Sequence, residues 1–292
     1  MADTTLSSTG TGSGRTGGRG RLRSVALHGG LGLMLLIYST PIVGVVLTAL
    51  QSNAEISAQG VWHLPEAPSL DSFVELFTNS HTAQYLLNSV LVSIPATLLS
   101  VGCGFLLGYV FSQAQGRLAG ILFGIVIAGM FFPPQSVLIP LFQLFNAIGL
   151  YDTLAPLVLI HVAFGIPICT LLMRNFMIAL PSGLREAAIV DGAGEWSVLL
   201  RVVMPLTLPA AAVLATLQFT WIWNDFLWPL ILTRSDSART IMAGIVSLKG
   251  QYSTVWTAQA AMAIVASLPT LAIFLLFQRY FIKGLTLGSI KE

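Results

Sequence analysis

Six stretches of this sequence are long enough to cross a bilayer and carry almost no charge. A hydrocarbon core about 30 Å thick needs roughly 20 apolar residues at about 1.5 Å of rise each. Windows of that length fall at Val25–Leu50, Ala83–Phe111, Leu118–Phe145, Thr153–Met173, Leu206–Leu232 and Ala258–Gln278, and only the fifth holds an acid, Asp225. Backbone polar groups cannot be solvated in lipid, and the windows are far too long for barrel strands, so each is read as a helix. The expected fold class is therefore an all-α polytopic membrane protein with six transmembrane helices. A mean hydropathy of +0.81 with only 9% charged residues lies far from a soluble domain and agrees with that reading.

Lysine and arginine set the expected orientation, because cytoplasmic loops carry their excess. With the N-terminus inside, the inner segments hold Arg15, Arg19, Arg21, Arg23, Arg117, Arg174, Arg185, Arg201, Arg279, Lys283 and Lys291, and the outer loops hold only Arg234, Arg239 and Lys249. Both termini are expected in the cytoplasm. Residues 1–23 are polar, glycine-rich and basic, and are read as a disordered tail ahead of a six-span domain over 24–292. The first apolar stretch is longer than a signal-peptide core and is interrupted by Pro41, which favours an uncleaved anchor.

The sequence excludes several classes of activity. No phosphate-loop pattern occurs, and no nucleophile elbow, metal motif or paired acid points to a membrane enzyme. Cys103 and Cys169 fall within spans and are read as packing residues, as are the histidines, His161 among them, which have no second ligand at metal spacing. An ion-coupled carrier would need ionisable groups near the midplane, and only Asp225 comes close. If the chain moves a solute actively, the energy must come from a partner. Membrane lipid is an expected partner and nucleic acid is not.

Against this oily background, "PSGLREAAIVDGAGEW" stands out, between the fourth and fifth spans. Pro181 and Ser182 suit a helix start, with Ser182 as N-cap, and Gly192 suits a left-handed end. Leu184, Ala187 and Ala188 then share one small face flanked by Arg185 and Glu186, a shape made to dock in a groove of another protein with the charges fixing register.

The stretch resembles the EAA loop of the permease subunits of bacterial ABC importers, E-A-A-x3-G-x9-I-x-L-P. Glu186-Ala187-Ala188 is followed at the right spacings by Gly192 and by Val202-Val203-Met204-Pro205, with Val202 at the Ile position and Met204 at the Leu position. "FFPPQSVLIPLFQLFNAIGLYDT", "FTWIWNDFLWPLIL" and "QRYFIKGLTLGSIKE" look like the carbohydrate branch, in particular its maltose-type second permease subunits, and the likeness covers residues 30 to 292. The resemblance implies a type I importer permease fold in the bacterial cell membrane and import of a sugar. It also implies a second permease subunit, a cytoplasmic ATPase dimer and an extracytoplasmic substrate-binding protein as partners. It assigns coupling to the coupling loop at about 181–205, through Glu186, Ala187, Ala188, Asp191, Gly192 and Pro205. It implies no catalytic site and no cofactor in this chain, with ATP and Mg held by the partner ATPase. A permease for a non-sugar solute is the alternative, and an ion-coupled carrier a more distant one.

A sugar path should mix planar polar groups with aromatics. "QFTWIWNDFLWPL" places Gln218, Trp221, Asn224 and Asp225 at spacings of three and four, with Trp228 one turn on. The competing reading makes Trp221, Trp223 and Trp228 an interfacial aromatic belt, with Asn224 and Asp225 as the polar end of the helix. Prolines within the spans serve either packing or gating, and Pro133-Pro134 is the expected true break. The segment from about Thr233 to Thr257, with Gly244, Gly250 and Tyr252, is expected to be part helical, either meeting a binding protein or covering the bundle.

Overall fold

The computed structural model describes residues 17–78, 80–248 and 255–287, and the described residues are helical with no strand. In chain order the helices are α1 (Gly17–Leu50), α2 (Asn53–Gln59), α3 (Asp71–Thr78), α4 (Thr82–Gln113), α5 (Arg117–Ala128), α6 (Leu138–Ala147), α7 (Ala155–Ile178), α8 (Ser182–Val190), α9 (Glu195–Val198), α10 (Met204–Trp223), α11 (Leu227–Leu232), α12 (Ile241–Ser247) and α13 (Trp256–Leu287). Residues 1–16 of the expected tail lie outside the described residues, and α1 already begins at Gly17, inside the segment read as a tail.

Five continuous apolar stretches have the length to span a membrane: Ser24–Leu50, Thr82–Gln113, Ala155–Ile178, Glu195–Trp223 and Trp256–Tyr280. The third sequence window is not one straight helix. It is a pair, Arg117–Phe131 and Pro134–Ala147, meeting at 90°. The cause is the double proline: Pro133 has no N–H to give the helix, and Pro134 forces Pro133 into extended backbone with ψ 128°.

The bundle is built around α4 and α7, which touch along most of their length. Ser100, Gly104 and Gly108 on α4 face Gly165, Cys169 and Met173 on α7, each set spaced by four and so on one side of its helix. A Cβ on Gly104 would lie 2.3 Å from that of Cys169, and one on Gly108 would lie 2.8 Å from that of Met173. Small residues allow this approach, which is how helices associate in lipid, where apolar burial gives no drive. α10 packs across both, α13 joins α10 and α1, and α1 leaves most of its surface outward. Three apolar clusters fill the interior: one around Tyr85, Trp223, Ile241 and Met262, one around Val92, Leu157, Ile222 and Trp228, and one around Cys169, Met173, Val198 and Leu214.

Between α1 and α4, the short α2 is closed by a capping box in which Ser52 and Glu55 exchange side-chain and backbone bonds. Before α7, Asp152 adopts φ +62° and its carboxylate accepts the N–H groups of Arg234 (2.7 Å) and Ser235 (2.9 Å), while its own N–H donates to Leu232 O. The segment after α11 is thus pinned to the start of α7. The expectation of partial helix in residues 233–257 is met by α12, whereas Gly250 and Tyr252 lie outside the described residues.

Candidate functional site

The charged stretch folds as an isolated short helix, α8, leaving the end of α7 through Pro181. Pro181 occupies the N-cap position with extended backbone and Ser182 is the first helical residue, so Ser182 is not the N-cap expected from sequence. The other end follows expectation. Gly192 has φ +85°, its N–H donates to Ile189 O, and the N–H of Ala193 donates to Ala188 O. This pair of bonds is the Schellman arrangement, which needs a left-handed residue, and Ala188 and Ala193 both pack at the edge of the interior. Two motif residues, Ala188 and Gly192, therefore serve the shape of the helix itself.

The outward face consists of Leu184, Ala187 and Val190, all exposed, and Trp196 on α9 is exposed as well. Val190 is 87% exposed, in a short helix outside the spans, and Trp196 is 69% exposed at the start of the Glu195–Trp223 stretch. Glu186 lines a cleft of about 340 Å³ with Leu184, Arg185, Gln113, Met177 and Val202. Asp191 is exposed at the C-cap.

Arg185 does not flank the outward face as expected. It turns back to the bundle, where its Nη2 donates to Glu195 Oε1 at 2.5 Å, and Glu195 Oε2 accepts the Tyr109 hydroxyl of α4 at 2.6 Å. The Tyr109 hydroxyl, and then the Glu195 charge, hold the guanidinium above its already high ordinary value, so it stays a cation. Sequence reasoning misses Tyr109, whose one signal is a tyrosine near the inner end of an apolar span, and gives Glu195, one of the charges of the stretch, no role of its own.

Between α8 and α10 the chain makes a π turn, Leu199–Val203, in which the N–H of Met204 reaches Leu199 O. Pro205, second in α10, has no N–H to return to the preceding turn, and the widened turn is where that missing bond falls.

The second group of candidates is not brought together. α10 ends at Trp223, so Asn224 and Asp225 lie in a break and do not continue its side. Gln218 points inward, its Nε2 against Gly165 near Ser100. Trp221 is 74% exposed, and the exposed Asn224 donates Nδ2 to Thr220 O. Asp225 accepts the N–H groups of Leu227 (3.1 Å) and Trp228 (3.3 Å) at the start of α11, and its Oδ2 lies 3.4 Å from His161 Nε2 on α7. The aromatic-belt reading fails for two of its three residues: Trp223 is buried and donates to Ala266 O, and Trp228 is buried against Phe164. Among the described residues no cluster of three His, Cys, Asp or Glu is placed to hold a metal ion.

Comparison with known proteins matches residues 100–287 to a model of the binding-protein-dependent transport system inner membrane component. A probable ABC transporter permease protein of Pyrococcus horikoshii is 40% identical over 177 residues, 61% of this chain and 64% of that protein. The permease protein of the sulfoquinovosyl glycerol transport system of Agrobacterium fabrum is 28% identical over 251 residues, 86% of this chain and 88% of that protein. The fold is shared with a crystal structure of a bacterial ABC transporter involved in import of the acidic polysaccharide alginate, with TM-score 0.73 and 21% identity over 92% of this chain and all of that one. The matched segment holds α8, its cleft and the π turn, and by that match the chain belongs to the family of inner membrane components of binding-protein-dependent transport systems.

Proposed function

We propose that this chain is the permease subunit of an ATP-driven ABC importer for a saccharide or glycoside, in the bacterial cell membrane, with both termini and α8 on the cytoplasmic side. The observation that carries the reading is α8: a short helix outside the spans, capped at Gly192 and presenting Leu184, Ala187 and Val190 to a partner. Its expected occupant is the cleft of a cytoplasmic ATPase, one of two bound to a pair of permease subunits. An extracytoplasmic binding protein delivers the solute, in keeping with the binding-protein dependence for which the family is named. The saccharide class is supported by the relative for sulfoquinovosyl glycerol and by the fold shared with the alginate transporter.

In this mechanism the chain performs no chemistry. ATP and Mg are held by the partner ATPase, whose closure draws the docked helices together and tips the spans between two packed arrangements. Glu186, Ala187, Ala188, Asp191, Gly192 and Pro205 form the coupling segment. Of the fifth-span group, Trp221 and Asn224 are free to line the path, and Gln218 and Asp225 hold the bundle.

Co-purification tests the reading. The wild type, expressed with its ATPase and second permease, retains the ATPase in detergent, and Glu186→Lys or Gly192→Pro releases it or uncouples hydrolysis from uptake. Equal retention with coupled hydrolysis in all three overturns it.

A further inference from the structure

α4 is held at both ends by polar clasps, and the two clasps grip different loops. At one end Tyr109 donates to Glu195, which binds Arg185 of α8. At the other, Asn88 Nδ2 donates to the carbonyls of Ser237 (2.9 Å) and Arg239 (2.8 Å), and Ser89 Oγ accepts the N–H of Ile241 (2.9 Å). The Tyr85 hydroxyl donates to Asp236, whose Oδ1 also receives Arg239 at 2.6 Å. Asn88 and Ser89 are buried, so their neutral bonds are costly to break, and the bonds of Tyr85 and Arg239 to the Asp236 carboxylate are charge-assisted.

Between the clasps α4 runs as one continuous helix from Thr82 to Gln113 despite Pro95 in its interior, and Tyr85 and Tyr109 are separated by about 36 Å at 1.5 Å per residue. The glycine notches at 104 and 108 seat it on α7 without slack, and α7 carries the same two loops through Pro181 at one end and Asp152 at the other. A close-packed helix pair of this kind transmits displacement because its interior is incompressible.

We infer that Tyr109 and Glu195 are positioning residues that fix the docking helix to one end of α4, and that Tyr85, Asn88 and Ser89 fix the 233–241 segment to the other, making α4 a lever that moves both together. The inference deepens the proposed function, since it gives the docking site a defined connection to the opposite end of the bundle. The energetic logic is that of two sites biased by one element, here a packed helix whose clasps are individually replaceable.

The test uses the full chain in lipid nanodiscs, with Cys103→Ala and Cys169→Ala as background and nitroxides at Val190→Cys and Arg234→Cys, both exposed positions. Pulsed electron paramagnetic resonance reads the distance distribution between the two ends. The lever gives one narrow distribution, which broadens about twofold in Tyr109→Phe, in Glu195→Gln and, from the far end, in Asn88→Ala. Arg185→Glu also broadens it, and adding Glu195→Arg narrows it again. Tyr109→Phe leaves the thermal midpoint nearly unchanged, which separates positioning from a general structural role. A broad distribution in the wild type, or an unchanged width in Tyr109→Phe, Glu195→Gln and Asn88→Ala, overturns the lever. The ATPase is absent from this measurement, so a failure of docking in the co-purification experiment does not alter the distances it reads.

Discussion

His161 of α7 and Asp225 in the break between α10 and α11 meet with 3.4 Å between Nε2 and Oδ2, both largely buried, and the same carboxylate accepts the N–H groups of Leu227 and Trp228 in the first turn of α11. The single acid of the fifth window is thus satisfied by its own chain. A carboxylate at this depth needs a partner or water, and here it has three protein partners.

Replacing it separates structure from transport. Asp225→Ala removes the cap and leaves a buried imidazole unpaired, a loss of about 2–4 kcal/mol that appears as a lowered thermal midpoint in detergent. Asp225→Asn keeps an acceptor for the cap and loses about 1 kcal/mol or less. Uptake falls with stability in both variants. By contrast Trp221→Ala, at an exposed position, lowers uptake with little change in midpoint; unchanged uptake would remove Trp221 from the path.

The α4–α7 contact gives a paired prediction. Gly104→Ala drives a methyl into Cys169 at 2.3 Å and against its backbone at 2.8 Å, and overpacking of this kind is destabilising by about 1–3 kcal/mol. Gly102→Ala, two residues earlier on the opposite side, meets nothing within 4 Å and leaves the midpoint unchanged. Equal midpoints would contradict the close packing.

At the end of α8 the relevant quantity is backbone strain. Gly192→Ala adds no clash but forces an L-residue to φ +85°, costing about 1 kcal/mol. Hydrogen exchange of amides 188–193 therefore rises severalfold while the rest of the bundle is unaffected. Gly194→Ala, where φ is −72° and the space is also open, is the control and shows wild-type exchange.

Asp152 carries a pH dependence. Burial pushes its carboxyl up, but the N–H groups of Arg234 and Ser235, the Ser235 hydroxyl and the Arg234 charge together hold it below the ordinary value. A carboxylate with a depressed folded pKa adds stability above its unfolded value, and that stability is lost as pH falls through the folded one. Asp152→Asn, which tolerates the left-handed backbone, is therefore less stable than wild type at pH 7 and equal to it in acid below the ordinary aspartate range. Thermal midpoints at the two pH values check the sign.

Much of the architecture is legible in the sequence because lipid leaves few choices: charge-free windows mark the spans, and Pro133-Pro134 marks the break. Gly192 is legible because the helix pattern stops there and only a left-handed residue closes it. The windows are blind to the 90° elbow, since hydropathy counts residues and not directions. Spacing alone misplaces Arg185 because its partners, Glu195 and Tyr109, are reached through a turn and a neighbouring helix, which one-dimensional distance does not encode. The same holds for His161 with Asp225. The grouping of Gln218 with Asn224 fails because helical spacing is carried past Trp223, where the helix ends.

The π turn at Leu199–Val203 bears on what the family's motif records. α9, this turn and α10 run as one rod into the bundle, so the number of residues between Gly192 and Pro205 sets the compass bearing of α8 around that rod. One inserted residue would swing the bearing by about 100°. Leu184 and Ala187 would keep their chemistry and face the wrong way. Nine unspecified positions are thus as much a part of the message as the three letters before them.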